Sequence, residues 1–539
     1  MLLFHNLNRL SDHHNYLSAI FGQKHFFFVG GMIRDLLLNR ETNMDDVDIT
    51  LSGTHTENKN IITSYDKEFS FFDTEKYGTM TIIPKSEGNT TQYEITPFRT
   101  ETTYSDGRHP DEVVRSDSLL DDSQRRDFTI NCLYYYKTNA IVRDTNQQPT
   151  TDPKFLSLLD RQGRYYDETS QTLILQDHQL ISNFQNNTLE NNILSDAVHV
   201  ILDPHGGIQD LVHKKIKAVG APDRRFQEDA LRVVRGLRFS VALECDFEKH
   251  TWTALQKNAH LIRHIAKERI KQECDKVFAG NNPFGFVALL DAANLLKWIF
   301  PKVYDNKGVE QPLRYHPFDV YTHTLMVLYH AQQLSTDKLL RYAALYHDVG
   351  KVEQYSSYNM KLDEEGVRSM FSSWLNHVIC GEDFVREDFK NLNASTKEID
   401  TIARYVRRHM KIGEILMGDE SHYKKKLRPM IAQVGPDMVK NLCLLTVADR
   451  LGQYNPIQAP AVDDVYGLID LIDIIMEEEG RFSMKELAIN GDLLMKELKL
   501  TPGPQLGVLL KKSYERVLED LSRNDKETLL TVIQGWMKE

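Results

Sequence analysis

Asp46 and Asp48 flank Val47 in the stretch Phe26 to Thr50, which reads FFFVGGMIRDLLLNRETNMDDVDIT. Side chains alternate along a strand, so in a VDIT strand two residues that far apart project from one face. Like charges held that close repel unless a cation lies between them, which points to a magnesium site for phosphoryl or nucleotidyl transfer. Phe26 to Val29, an aromatic and β-branched run, predicts a strand that ends at Gly30-Gly31. There the missing side chains let the backbone turn tightly and approach a phosphate. Met32 to Leu38 predict a short helix whose N-terminal amides lie beside that turn and suit an anion such as a triphosphate.

A second set of residues has the chemistry of metal ligands. His323 lies in YTHTLMVLYHA, His347-Asp348 in LRYAALYHDVGK, His377 in NHVICG, His409 in YVRRHM and Asp449 in TVADRLG. Each of these segments is apolar and helix-patterned, a setting in which a lone histidine is more often a core residue than a ligand. Together, imidazole nitrogens and carboxylates suit a divalent transition metal or magnesium, and the adjacent His347-Asp348 can point two ligands at a shared ion or pair.

The elements that position these groups follow from the pattern around them. Tyr77 to Pro84 and Tyr93 to Phe98 predict paired strands that extend the sheet. Glu94 in the second is open between a third carboxylate on the Asp46/Asp48 edge and a plain cross-strand position. Tyr104 to Pro110, polar and glycine-containing, reads as a mobile loop. In Arg125 to Asn131 (RRDFTIN), Arg126 offers a forked donor to phosphate and Asp127 an acceptor for a ribose hydroxyl. Phe226 to Leu243 predicts one amphipathic helix, on which Glu228, Asp229, Arg232 and Arg235 recur at spacings of three and four. Such a ladder serves equally as helical salt bridges. Ala266 to Pro301 is helical in pattern as well.

Composition bounds the rest. A chain of 539 residues, 41% hydrophobic, exceeds one ordinary core and predicts several domains. No apolar run reaches the roughly 20 residues needed to span a bilayer, and no signal-peptide pattern opens the chain, so a cytoplasmic protein without a membrane partner is expected. Five scattered cysteines without a C-x-x-C spacing fit reduced, buried thiols. A net charge of -12 argues against a general nucleic-acid coat, yet leaves room for RNA on local basic clusters such as Lys214-Lys215-Ile216-Lys217, Arg224-Arg225 and Lys424-Lys425-Lys426.

The string GG-x-I-R-D-x-L-L followed by D-x-D resembles the signature of the class II nucleotidyltransferases, the CCA-adding tRNA nucleotidyltransferases and bacterial poly(A) polymerases. RRDFTIN resembles the family's ribose-recognition motif, and EDALRVVR its amino-acid template, in which an Asp and an Arg bond the Watson-Crick edge of the incoming base. The order H…HD…H…H…D resembles the HD phosphohydrolase domain that many bacterial members carry. This resemblance implies an α+β fold: an N-terminal nucleotidyltransferase head with a small mixed sheet over about 1–220, then mainly helical neck and body (221–305), HD domain (306–455) and C-terminal region (456–539).

It further implies Asp46, Asp48 and Glu94 as catalytic, with magnesium on the two aspartates. Gly30, Gly31, Arg34, Arg126, Asp127, Asp229, Arg232 and Arg235 are implied to bind nucleotide. His323, His347, Asp348 and Asp449 would hold a divalent ion of unspecified identity, with His377 and His409 completing a second ion or positioning the scissile phosphate. Glu268 and Arg269 match the family's recurrent pair, read as a brace for the template helix. The implied partners are tRNA, CTP and ATP. The rivals are an adenosine-only or poly(A)-adding enzyme and a nucleotide-sensing module fused to an HD hydrolase. In relatives RRDFTIN passes quickly to a D-P-x-G-G turn, whereas Asp203-Pro204-His205-Gly206-Gly207 is delayed here. Residues from about 137 to 196, rich in Asn, Gln, Thr and Asp, are therefore read as a partly ordered, dispensable insertion in which FLSLLD and TLILQ form short elements.

Overall fold

A computed structural model of the chain describes residues 4–22, 26–40, 44–74, 78–85, 90–101, 113–116, 118–137, 164–167, 172–176, 178, 181, 199–311, 317–353, 376–453, 461–480, 484–519 and 523–537. The loop at 104–110 and the FLSLLD segment lie outside them. The chain forms two compact units, Met1–Arg269 and Ile270–Glu539.

The first unit is built on a mixed sheet of nine strands. In chain order the strands of this unit are β1 (Phe26–Val29), β2 (Asp46–Leu51), β3 (Phe69–Thr74), β4 (Thr79–Pro84), β5 (Gln92–Pro97), β6 (Arg99–Glu101), β7 (Val113–Arg115), β8 (Tyr134–Lys137), β9 (Arg164–Asp167), β10 (Thr172–Leu175), β11 (His199–Leu202), β12 (Lys215–Ile216) and β13 (Asp246–Phe247). The large sheet runs β3-β4-β5-β2-β1-β8-β11-β10-β9, while β6-β7 and β12-β13 form separate two-stranded ribbons. All four residues of β1 are buried, as an aromatic run in a central strand requires. In β2 the alternation is explicit: Val47 and Ile49 are buried while Asp46 and Asp48 face out.

The TLILQ segment of the presumed insertion is β10, paired in parallel with β11 from Thr172↔His199 to Leu175↔Leu202 and antiparallel with β9. Leu175 and Ile181 are fully buried in one core with Phe27, Tyr134, Val200 and Leu202. This stretch therefore contributes core as well as edge strands, and the expectation that all of it can be cut away does not fit the packing. Gln176, one residue past β10, donates to Asp203 Oδ2 at 2.9 Å. Asp203 in turn accepts the Gly207 and Ile208 amides at 2.7 and 3.1 Å, starting the Gly207–Val212 helix after the delayed turn.

Phe226 to Leu243 is not one helix. A helix over Pro222–Glu228 ends, Asp229 adopts an extended backbone (φ -142, ψ 103), and a second helix runs over Leu231–Leu243. Asp229 Oδ1 accepts the Leu231 amide at 3.0 Å, so the side chain supplies a bond that a continuous helix would have drawn from the backbone.

The second unit is helical throughout its described residues. The helices Val320–Leu334, Lys338–Tyr346, His377–Asn391, Thr396–Arg408 and Pro436–Gly452 carry the histidine and aspartate set within them or, for His347, Asp348 and His409, directly after their C-terminal ends. Three more, Gly491–Leu498, Pro504–Glu519 and Lys526–Trp536, enclose a separate small core around Leu494, Val517 and Ile533. No described helix is long and apolar enough to cross a membrane.

Replacing Leu175 by Ala is expected to lower stability by about 2 to 5 kcal/mol, the usual cost of a cavity under a fully buried leucine. Urea denaturation of the full chain measures it; an unchanged midpoint would show that β10 is peripheral to the core.

Candidate active site and metal centre

β2 and β5 lie side by side in parallel with Asp48 opposite Glu94 and Asp46 opposite Gln92. Because both strands alternate in phase, Asp46, Asp48 and Glu94 are all exposed on one face, so the open question over Glu94 resolves geometrically in favour of the shared edge. Although its tip stays open to solvent, Asp48 is crowded by protein. This burial raises its pKa, the charge of Asp46 adds to the rise, and Arg126 and Arg235 oppose it. Burial likewise raises Glu94, with the charges of Asp48 and Asp46 in the same direction. Mutual repulsion of three carboxylates is what a divalent cation relieves, so the donor set fits magnesium.

The glycine turn backs onto this edge. Gly30 has φ +88, and a Cβ there would stand 3.2 Å from Asp48 Oδ2. Arg34, on the Gly31–Leu37 helix, grips Asp35 through Nε (2.8 Å) and Nη2 (2.7 Å), and donates Nη1 to Asn131 Oδ1 at 2.5 Å. Asn131 Nδ2 donates to Asp127 Oδ1 at 3.1 Å, and Arg235 bonds Asp127 Oδ2 through Nε (2.9 Å) and Nη2 (2.7 Å). Buried Asp127 would titrate high, but Arg235 and these hydrogen bonds pull its pKa down to about 2. Arg126 Nη2 donates to the buried Asp122 at 3.0 Å and Nε to Tyr134 Oη at 3.0 Å.

Asp229, in the break between the two helices, accepts Arg269 Nη2 at 3.0 Å; this is the brace expected of Arg269. Arg232 is nearly buried, its Nη1 on Glu228 (2.9 Å) and the Arg225 carbonyl (3.1 Å), its Nη2 on the Arg125 carbonyl (2.9 Å). Gly30, Gly31, Arg34, Asp48, Arg126, Asp127, Asp229, Arg232 and Arg235 all line one cleft of about 460 Å³. Sequence reasoning missed Arg125, Asn131, Arg238 and Phe239 in its wall. Arg238 stands 4.1 Å over the Phe239 ring, with Arg34 and Arg235 at 5.2 and 5.4 Å. Continuing the spacing of three from Arg232 through Arg235 reaches Arg238.

In the second unit the four predicted ligands and the two further histidines of the predicted site converge. His323 Nε2 lies 3.0 Å from Asp449 Oδ1 and 3.3 Å from His347 Nε2; His347 Nε2 is 3.2 Å from Asp348 Oδ2. On the other carboxylate oxygen of Asp348 stand His377 Nε2 at 3.1 Å and His409 Nε2 at 3.7 Å. Two groups able to hold an ion thus share Asp348: His323 and His347 on one side, His377 and His409 on the other.

The Nδ1 atoms of His347 and His409 point at the Ala344 and Val406 carbonyls at 2.9 and 2.8 Å, which fixes the tautomer that leaves Nε2 free to ligate. Gly350 allows the close approach, since a Cβ there would meet the His377 carbonyl oxygen at 2.0 Å. Lys351, one turn beyond Asp348 and missed in the sequence, donates to Asp348 Oδ2 at 2.5 Å. Burial lowers His409 to about 3, helped by His377 and His347. At His347 burial is outweighed by Asp348 and Asp449, and its pKa rises. The donor set suits a divalent metal that displaces a proton.

Comparison with known proteins follows this division. The Poly A polymerase head domain matches residues 26–149, the probable RNA and SrmB- binding site of polymerase A 246–306, the HD domain 320–452 and the putative tRNA nucleotidyltransferase domain 2 455–533. The CCA-adding enzyme of Pediococcus pentosaceus is 27% identical over 517 residues, spanning 95% of this chain and 94% of its own. The chain thus resembles the CCA-adding nucleotidyltransferases in the order of its domains and over nearly its whole length. A second relative, the CCA-adding enzyme of Staphylococcus saprophyticus, is 35% identical over 255 residues, 47% of this chain and 46% of its own. The fold is that of the Bacillus stearothermophilus CCA-adding enzyme crystallised in complex with CTP, with a TM-score of 0.59 at 20% identity over 99% of this chain and 98% of that one. The Thermotoga maritima CCA-adding enzyme complexed with tRNA gives 0.51 at 16%, over 99% and 94%.

The depressed pKa of Asp127 has a measurable consequence. Its ion pair with Arg235 contributes in full above the ordinary carboxylate pKa of 3.8 and is lost as pH falls through about 2. Between pH 5 and 2, Asp127→Asn is therefore expected to lose about 2 kcal/mol less stability than the parent, read from urea midpoints across that range.

Proposed function

We propose that the head adds cytidine and adenosine to the 3′ end of tRNA from CTP and ATP, releasing pyrophosphate, with no nucleic-acid template. The observation that carries this is the placement in one cleft of Asp48, the Gly30-Gly31 turn and the Asp229/Arg232 pair, which unites phosphate chemistry and base selection. Asp46, Asp48 and Glu94 would hold magnesium, which when bound would neutralise charge on the triphosphate and make the attacking 3′-hydroxyl more acidic. Gly30-Gly31 gives the phosphates a wall without side chains. Arg126 and Arg235, facing Asp48, supply positive potential along the cleft. Asp127, held by Asn131 and Arg235, offers an acceptor toward the ribose.

Asp229 accepts from and Arg232 donates to the base edge, a pattern that suits cytosine and, after a small rotation, adenine. For this Arg232 leaves Glu228, while Arg269 keeps Asp229 aimed. Relatives named CCA-adding enzymes favour full CCA addition over the adenosine-only alternative. The setting we assign is the cytoplasm.

tRNA transcripts ending before the tail, after the first C and after CC, each given single NTPs, test the reading. Incorporation is expected on all three, with CTP on the first two and ATP on the last. Asp46→Ala or Asp48→Ala is expected to slow it about a thousandfold or more, a few kcal/mol of charge stabilisation. Arg232→Ala is expected to cost about 1 to 3 kcal/mol of discrimination against UTP and GTP. Near-parental rates in the aspartate variants, or undiminished discrimination in the arginine variant, refute the corresponding role.

For the second unit we propose a metal-dependent hydrolase of phosphate esters, such as 2′,3′-cyclic phosphates at RNA ends. The observation that favours it is the buried sharing of Asp348 between two histidine pairs. Metal bound by this set lowers the pKa of a coordinated water towards neutrality. Elemental analysis is expected to find Mn, Ni, Co or Mg retained by the parent and lost in the His347→Ala, Asp348→Ala double variant. Phosphodiesterase activity should vanish in parallel, and Asp46→Ala should leave both untouched. Metal retained by the double variant overturns the ligand set.

A further inference from the structure

Away from the metal centre, the second unit contains a cavity of about 530 Å³ between the end of the Thr396–Arg408 helix, the Lys411–Leu416 helix and the Tyr423–Val434 helix. Arg407, Arg408, Lys411 and Lys426 line it against a single carboxylate, Glu414, although the chain as a whole carries a net charge of -12. Lys411 Nζ is spent on Glu414 at 2.7 Å. Arg407 Nε is 3.8 Å from Glu382, and its Nη1 is buried with no hydrogen-bond partner among the described residues.

Arg408 and Lys426 have neither an ion pair nor a hydrogen bond among the described residues. Cations gathered with so few counter-charges are stable when an anion lies among them. Apart from Gln433, the rest of the lining is apolar: Ile415, Pro429 and Met430.

We infer that this cavity is a second nucleotide site, with a phosphate on Arg407, Arg408 and Lys426 and a base against Ile415, Pro429 and Met430. Arginine forks match phosphate oxygens bidentately, and a planar base finds contact on a proline ring, a methionine thioether and guanidinium faces. The volume falls within the range of small-molecule sites and suits a mononucleotide. A bare inorganic anion would leave the apolar wall without purpose. Arg408 directly precedes His409, so an occupied pocket bears on the helix end that presents a ligand to Asp348.

The test uses the full chain and two photoreactive probes, 8-azidoadenosine 5′-monophosphate and a short oligoribonucleotide carrying the same base, with adducts mapped by mass spectrometry. Adducts are expected on peptides spanning 407–433 in addition to head peptides. Labelling of 407–433 by the mononucleotide identifies a free nucleotide as the ligand, and labelling by the oligonucleotide alone identifies an RNA segment. In the Arg408→Glu, Lys426→Glu double variant the 407–433 adduct is expected to fall about tenfold or more, with head adducts unchanged. Lys426→Glu alone, at an exposed side chain, guards against misfolding of the double variant and should lower the same adduct. Asp229→Ala should alter head adducts only. No adduct on 407–433 with either probe, or an adduct unaffected by Lys426→Glu, overturns the inference.

Discussion

The head depends on a relay of hydrogen bonds that runs from Asp35 through Arg34, Asn131 and Asp127 to Arg235. Its members come from three separate stretches: the helix after the glycine turn, the segment from Asp127 through the short 3-10 turn Thr129–Asn131, and the Leu231–Leu243 helix. Each link joins a charged group to a partner in a partly or fully buried setting, where such bonds are stronger than neutral ones and an unmatched member is expensive. The relay thereby sets the floor of the cleft before any ligand enters, and it holds Arg235 where its charge reaches Asp48.

The same logic governs the two chemical centres in opposite senses. In the head, cations from Arg126 and Arg235 lie close to an acidic edge, so the cleft offers positive potential to phosphates and a negative corner to a metal. In the second unit the acidic groups are few and shared: Asp348 faces His347, His377 and Lys351 at 3.2, 3.1 and 2.5 Å. A buried carboxylate so surrounded stays ionised well below the ordinary range, with burial overcome by His347 and Lys351. It therefore remains able to ligate a cation at any physiological pH.

Much of this could be read from residue order because the relevant periodicities are short. Period two places Asp46 and Asp48 together whatever the tertiary context. Once β5 pairs in register with β2, Glu94 follows, but register depends on strand partners that local pattern does not specify. The break at Asp229 was hidden for a different reason. EDALRVVR contains neither Gly nor Pro to mark a break, and the interruption comes from an Asp229 side chain committed to the Leu231 amide and to distant Arg269. β10 was seen as a short element and misjudged as dispensable, since its polar surroundings mask Leu175, whose burial is supplied by Val200 and Leu202 across the sheet. Lys426 read only as part of a basic run, because counter-charges such as Glu478 beside Lys424 are remote in the chain.

The pairing of β2 with β5 is parallel, and parallel strands cannot be joined by a hairpin. Between them the chain makes the His55–Thr63 helix and the β3-β4 pair before it returns. The acidic edge therefore does not exist in any local fragment. During synthesis Asp46 and Asp48 wait, separated from Glu94, until the segment through Pro97 has emerged and closed the crossover, a non-local step of the kind that slows folding. An incomplete head thus presents only part of its acidic edge, and the full set of carboxylates comes together only with completion of the sheet.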